Sequence, residues 1–185
     1  AFSTIPVEIV SQRLFTGLDQ FAIMAIPFFI LSGTFLSTGG VAARIVRFAS
    51  ALVGSMRGGM GMAAVLSCAF FAALSGSSPA TVVAIGSIMI PAMVKQGYPK
   101  KFAVGVLATS GGIGILIPPS IVMIIYAVST NTSVGQLFIA GIVPGVLMTL
   151  TLMLVTWLVA KKENYPVSPG ASLRDIWQAF RESMW

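Results

Sequence analysis

Gly58 to Val94 reads GGMGMAAVLSCAFFAALSGSSPATVVAIGSIMIPAMV, 37 residues without a formal charge, interrupted once by Ser75-Gly76-Ser77-Ser78-Pro79. Arg57 stands before this run and Lys95 after it, so it leaves and regains the same side of the apolar medium it enters. Without the glycine-rich entry, each arm holds roughly 15 residues, or about 22 Å of helix at 1.5 Å per residue. The hydrocarbon core of a bilayer is about 30 Å thick. Arms of that length favour a re-entrant helical hairpin whose tip of small polar residues stops inside the membrane. Two full spans joined by an outer turn are the alternative.

The rest of the chain agrees with a lipid setting. Of its 185 residues 56% are hydrophobic and 9% charged, against about 25% charged in a soluble domain, and a soluble core of this composition would leave large apolar surfaces in water. Two further uncharged runs, 24 residues from Gln20 to Ala43 and 59 from Phe102 to Ala160, exceed the ~20 residues a membrane helix needs. Eight of the eleven basic residues fall into three clusters: Arg44, Arg47 and Arg57; Lys95, Lys100 and Lys101; Lys161 and Lys162. Basic clusters that punctuate apolar runs mark the cytoplasmic side. They do not alternate with aromatic residues as a nucleic-acid surface requires, so the net charge of +6 implies no nucleic-acid partner. Cys68, the one cysteine, is a small packing residue. The chain opens at Ala1 without Met and without a basic flank, so no signal peptide is expected and it reads as part of something longer.

With the three clusters inside, each run starts and finishes on a defined side. Asp19 and Gln20 open the first crossing outside, Phe21 to Leu36 carry it inward past Pro27 and Gly33, and Gly39-Gly40 ends it. From Val41 to Met56 the apolar positions Ile45, Ala49, Leu52, Val53 and Met56 recur at helical spacing opposite Arg44 and Arg47. This predicts an amphipathic helix at the cytoplasmic interface or, equally, the polar end of a spanning helix. The 59-residue run must cross twice, turning outside at Ser129-Thr130-Asn131-Thr132-Ser133. Its first crossing contains Gly111-Gly112-Ile113-Gly114 and Pro118-Pro119-Ser120. Two consecutive prolines remove two donors and clash with preceding carbonyls, which predicts a broken helix near the bilayer middle. The second crossing, Leu137 to Ala160, contains Gly141 and Pro144-Gly145.

After Lys161-Lys162, Pro166, Ser168, Pro169 and Gly170 read as a linker. Ser172 then caps a short helix with Asp175, whose stripe Leu173, Ile176, Trp177, Phe180 and Met184 suits a membrane surface. The expected organisation is a scaffold-like 1–57 with the first transmembrane helix and the interfacial helix, a transport-domain-like 58–135 with hairpin and broken helix, a transmembrane helix over 136–162, and an interfacial segment over 163–185.

There is no histidine, which excludes Ser-His dyads and histidine-ligated haem or zinc. No acidic residue lies within a crossing, so paired-aspartate proteolysis and carboxylate proton relays lack their parts, and there is no P-loop. The chain therefore reads as no enzyme. What remains are two polar interruptions at mid-membrane depth, and such breaks persist only where protein or a water-filled cavity satisfies the backbone. Freed carbonyls and hydroxyls of Ser75, Gly76 and Ser77 suit Na⁺, a hard cation, as do the carbonyls near Gly111, Gly112, Gly114 and Ile117. Ser78 is the expected cap of the second half-helix, with Pro79 at its first position, and Pro119-Ser120 opens the next. Half-helix N-termini at Ser77 to Pro79 and at Pro119-Ser120, with the hydroxyls of Thr109 and Ser110, would face a small organic anion. The competing reading is a non-transporting membrane scaffold whose small residues serve close packing. Packing alone accounts for Gly54, Gly58, Gly141 and Gly145, but it does not call for Pro118-Pro119 at mid-depth.

At these residues the chain resembles the large membrane subunit of tripartite ATP-independent periplasmic (TRAP) transporters. The likeness runs from Gln12-Arg13-Leu14-Phe15-Thr16-Gly17-Leu18-Asp19 through Ala25-Ile26-Pro27-Phe28-Phe29, Phe71 to Ala80, Gly86 to Met93 and Gly114-Ile115-Leu116-Ile117-Pro118-Pro119-Ser120 to Gly141-Ile142-Val143-Pro144-Gly145. The resemblance implies an all-α integral membrane protein of the bacterial inner membrane, one half of an inverted-repeat, elevator-type transporter. It also implies Na⁺ as coupling ion with no other cofactor. The implied partners are a small membrane subunit, a periplasmic substrate-binding protein and a small organic anion of the dicarboxylate type.

Overall fold

The computed structural model describes residues 6–18, 21–167 and 172–183. Asp19, Gln20, most of the proposed linker (168–171), Met184 and the side chain of Leu173 lie outside the described residues. The described chain is helical, in the order α1 (Val7–Leu18), α2 (Phe21–Thr38), α3 (Val41–Val53), α4 (Gly59–Ser75), α5 (Ser78–Lys95), α6 (Lys100–Gly111), α7 (Ile113–Leu116), α8 (Ile121–Thr130), α9 (Val134–Lys162) and α10 (Leu173–Ser183). Helices α2, α5 and α9 are each long and apolar enough to cross a membrane, and the pair α6–α7 plus α8, bent by 42°, makes a fourth if taken as one span.

At the centre lies α4. It is apolar on every side, and its Ala63, Ala64, Val65, Cys68, Phe71 and Ala72 are fully buried, the condition of a helix enclosed by others. It packs against α3, α5, α6, α7 and α9. The arms α4 and α5 run 17 and 18 residues, longer than the 15 expected, because α4 begins directly at Gly59 and α5 continues through Pro91 to Lys95. Glycine sets how closely α4 approaches α9: a Cβ on Gly61 would meet Thr156 Cγ2 at 2.6 Å, and one on Gly58, whose φ is +72°, would meet the Ala160 Cβ at 2.3 Å.

A left-handed turn at Gly40 (φ 80°) separates α3 from α2, so residues 41–53 are a helix of their own and not the end of a spanning one. Its buried stripe is Ala42, Ile45, Val46 and Ala49; Leu52 and Met56, expected on that face, are exposed at 39% and 49%. The stripe faces protein, since α3 packs on α4 and α5 and is covered by α10. There Phe48 meets Phe180 at 5.6 Å between centroids and Arg47 pairs with Glu182. The start of α10 carries a reciprocal cap, Ser172 N–H to Asp175 Oδ2 at 2.8 Å and Arg174 N–H to Ser172 Oγ at 3.4 Å. This helix, expected to lie on lipid, thus seats Ala179 and half of Ile176 inward and leaves Trp177 exposed.

The three basic clusters gather at one end. Gly58, next to Arg57, touches Ala160, next to Lys161. Tyr98, between Lys95 and Lys100, stacks on Phe102 at 6.0 Å and meets the tilted ring of Tyr165 at 5.1 Å, and its hydroxyl donates to Pro166 O at 3.0 Å. Burial raises the Tyr98 pKa above its ordinary value. From this end α9 runs 29 residues without interruption, through Gly141, Pro144 and Gly145, to a start capped by Ser133.

Candidate functional site: two helix breaks in contact

Helix α4 ends because Gly76 adopts a left-handed conformation (φ 63°) while its N–H returns to Ala72 O, the usual glycine stop. Ser77 then takes extended geometry and caps α5, its Oγ accepting from Ala80 N at 3.4 Å. The cap is therefore Ser77 and not Ser78, which is already helical, and Pro79 lies in the first turn where no donor is needed. The second interruption is longer. Helix α6 stops at Gly111, a single turn α7 follows, and the chain then bends through a cis Pro118–Pro119 peptide bond flanked by extended Ile117 and Ser120. Ser120, fully buried, caps α8 by accepting from Met123 N at 3.4 Å.

The fold brings these breaks together. Ile121 N–H, at the start of α8, donates to Gly76 O at 3.0 Å. A Cβ on Gly76 would lie 2.9 Å from Pro119 O. Across the same contact a Cβ on Gly114 would lie 3.1 Å from Ser78 Cα, and one on Gly111 would lie 2.1 Å from Val82 Cγ2. These three glycines thus serve close approach of one break to the other. Gly112 and Ile117 face α9 instead: a Cβ on Gly112 would meet Met148 Cε at 3.2 Å, and one on Gly145 would meet Ile117 Cγ1 at 2.8 Å. Gly141 receives Leu116 O, which a Cβ there would meet at 2.6 Å.

The polar side chains divide as well. Ser75 is fully buried at the tip, backed by α2, where a Cβ on Gly33 would meet Ser75 Cβ at 3.4 Å. Thr109 is exposed and donates to its own helix at Gly105 O, 2.9 Å, and buried Ser110 donates to Val106 O at 2.6 Å. Neither hydroxyl is joined to the tip by a hydrogen bond among the described residues. The residue that sequence reasoning missed is Thr81, fully buried, whose Oγ1 donates to Ser77 O at 2.8 Å and lies 3.2 Å from Ser75 Oγ. Its signal was present: a threonine four residues after a cap sits one helical turn from the cap's carbonyl.

Chemically the contact offers neutral oxygens and helix ends. The carbonyl-bearing end of α4 and the amide-bearing ends of α5 and α8 converge within one hydrogen bond. A helix end carries roughly half an elementary charge, negative at the C-terminus and positive at the N-terminus. Such a place can hold a hard cation and an anion side by side without an ionised side chain. Ser77 O, expected among the cation ligands, accepts from both Thr81 N (3.0 Å) and Thr81 Oγ1, which occupies its two lone pairs. Gly76 O keeps one beyond the bond from Ile121. Among the described residues no group of three or more His, Cys, Asp or Glu side chains is placed to hold a metal.

The model of the family "Tripartite ATP-independent periplasmic transporter, DctM component" matches residues 1–185. The C4-dicarboxylate TRAP transporter large permease protein DctM of Rhodobacter capsulatus is 55% identical over 98% of this chain, and that of Pseudomonas aeruginosa is 53% identical over all of it. The isethionate TRAP transporter permease protein DctMQ of Oleidesulfovibrio alaskensis is 44% identical, again over the whole chain. The chain spans 44%, 43% and 29% of these relatives' lengths, less than half of each. All three are named as transporter permeases and none as an enzyme.

Proposed function

Because the chain belongs to the DctM-component family of tripartite ATP-independent periplasmic transporters, we propose that it supplies one hairpin-plus-broken-helix set of a large permease that takes up a C4-dicarboxylate-like anion with Na⁺ across the bacterial inner membrane. The small membrane subunit and the periplasmic binding protein are its proposed partners. The observation that carries this reading is the hydrogen bond from Ile121 N–H to Gly76 O, which puts a helix C-terminus and two helix N-termini at one point. Gly76 O and the hydroxyls of Ser75 and Ser77 contribute the cation side, with Gly111 and Gly114 packed against the hairpin beside them and Gly112 and Ile117 turned to α9 behind. The starts of α5 (Ser77, Ser78, Pro79) and α8 (Pro119, Ser120) contribute the anion side, with Thr109 and Ser110 at the end of α6.

Depth supports a re-entrant hairpin. Helix α8 continues for ten residues beyond the contact with the tip, about 15 Å of further travel at 1.5 Å per residue. The tip therefore lies well short of the outer turn at Asn131 to Ser133. Residues 58–135, which carry both breaks, are then the part that moves against the scaffold in an elevator cycle.

The test is uptake of a radiolabelled four-carbon dicarboxylate by the full-length permease, reconstituted with its partner subunits in proteoliposomes. Uptake should require a Na⁺ gradient, and Ser75→Leu or Ser77→Leu should abolish it at unchanged membrane insertion. Uptake indifferent to Na⁺ and to both replacements would overturn the assignment.

A further inference from the structure

We infer that Thr81 is the positioning residue of the hairpin tip: it closes a ring of hydrogen bonds that fixes the one conformation in which Gly76 O and the Ser77 cap face the broken helix. The inference rests on the Na⁺-coupled reading above for its effect on transport, but not for the ring itself.

The ring follows from proton counting. Thr81 has one hydroxyl proton, and the 2.8 Å contact to Ser77 O, an acceptor only, takes it. In the 3.2 Å contact between Thr81 Oγ1 and Ser75 Oγ, the donor is then Ser75, whose proton has Ser77 O as a second, more distant acceptor at 3.5 Å. Ser75 Oγ in turn accepts from Ser77 N–H at 3.4 Å. The sequence Ser77 N–H, Ser75 O–H, Thr81 O–H, Ser77 C=O is thus closed on itself, every proton pointing the same way around. Thr81 and Ser75 are both fully buried and Ser77 is half-buried, so the ring is largely shielded from water, and bonds that polarise one another in such a setting strengthen together.

The ring spans the turn. Ser75 is the last residue of α4, Gly76 the left-handed residue, Ser77 the cap and Thr81 a member of the first turns of α5. Holding Ser77 N–H and C=O together fixes the peptide planes on either side of the cap, and with them the direction of Gly76 O toward Ile121 N–H. Among the described residues no hydrogen bond joins the Thr81 side chain to the second break, so it acts through the tip. Gly33 of α2 leaves room behind the ring.

The experiment uses the full-length permease with its partners in proteoliposomes and varies Na⁺. Thr81→Val keeps the shape and removes the donor, so the Na⁺ concentration for half-maximal uptake should rise about tenfold, the effect of losing one buried hydrogen bond, while the maximal rate stays within about twofold. Thr81→Ser keeps the donor and should restore the parent value. Hydrogen exchange over residues 72–82 should speed up in Thr81→Val and return to the parent rate in Thr81→Ser. Thr81→Ala replaces Thr81→Val if the valine variant does not insert. An unchanged Na⁺ half-saturation in an inserting donorless variant, or a serine variant as impaired as the valine one, would overturn the inference. If parental uptake needs no Na⁺, the proposed function fails by itself, and the exchange comparison decides whether the ring holds the tip.

Discussion

The last two crossings of this chain both carry glycine and proline in close succession, and only one of them breaks. In α9, Gly141, Pro144 and Gly145 sit inside 29 continuous helical residues. Between α6 and α8, Gly111, Gly112, Gly114, Pro118 and Pro119 end one helix, allow a single turn and open another at 42° to the first. A lone proline costs one backbone bond and a local clash, which neighbours in a membrane bundle can absorb. Two adjacent prolines fix two consecutive φ values and push the preceding residue out of helical geometry; Ile117 accordingly has ψ 122°. The glycines also differ in role. Those of α9 receive the break, whereas Gly111 and Gly114 bring it against the hairpin.

The largest way to break this contrast is Pro118→Ala with Pro119→Ala. Each proline disfavours a helix interior by about 3 kcal/mol. Removing both lets α7 run into α8 and draws Ile121 N–H away from Gly76, so uptake by the reconstituted permease should fall by on the order of a hundredfold, with protease protection reporting normal insertion. A smaller effect follows from Gly111→Ala, whose Cβ would enter Val82 at 2.1 Å. Overpacking of this kind costs roughly 1–3 kcal/mol, read as a lower midpoint in a thermal-shift assay on detergent-solubilised permease, and Val82→Ala on the same chain should recover most of it. The smallest is Pro144→Ala. Because α9 is already continuous, uptake and thermal midpoint should stay close to parental, a stability change within ~0.5 kcal/mol; a large loss would mean that α9 is bent for a purpose as the other crossing is.

The sequence made the breaks legible for a reason these comparisons expose. Proline pairs and serine-glycine tips act through local geometry, and local geometry survives in a one-dimensional reading. The stop at Gly76, the Ser120 start of α8 and the reciprocal Ser172–Asp175 cap are of that kind. The shift of the α5 cap from Ser78 to Ser77 is a one-residue matter decided by which side chain reaches Ala80 N. Less legible was anything that depends on who lies opposite. Leu52 and Met56 are on the expected face of α3 by spacing, yet in the packing of α3 with its neighbours Ala42 and Val46 are buried instead. Trp177 follows the stripe of α10 and remains exposed for the same reason. Helix α1 had no strong apolar period to announce it, and its described side chains are exposed throughout. That the two breaks touch could not be read from spacing at all, because Gly76 and Ile121 are joined only through tertiary packing.

Tyr98 gives the hairpin a mechanical character. Its ring between Phe102 and Tyr165, and its hydroxyl on Pro166 O, bolt the foot of α5 to the far end of α9. The opposite extremity, some 25 Å up the 17 residues of α4, meets the broken helix through the Ile121 N–H to Gly76 O bond and the close approach of Gly111 and Gly114. A beam mounted in this way is held at both extremities, so slack introduced at the aromatic bolt is passed along its length to the place where Ser75 to Pro79 press on the broken helix.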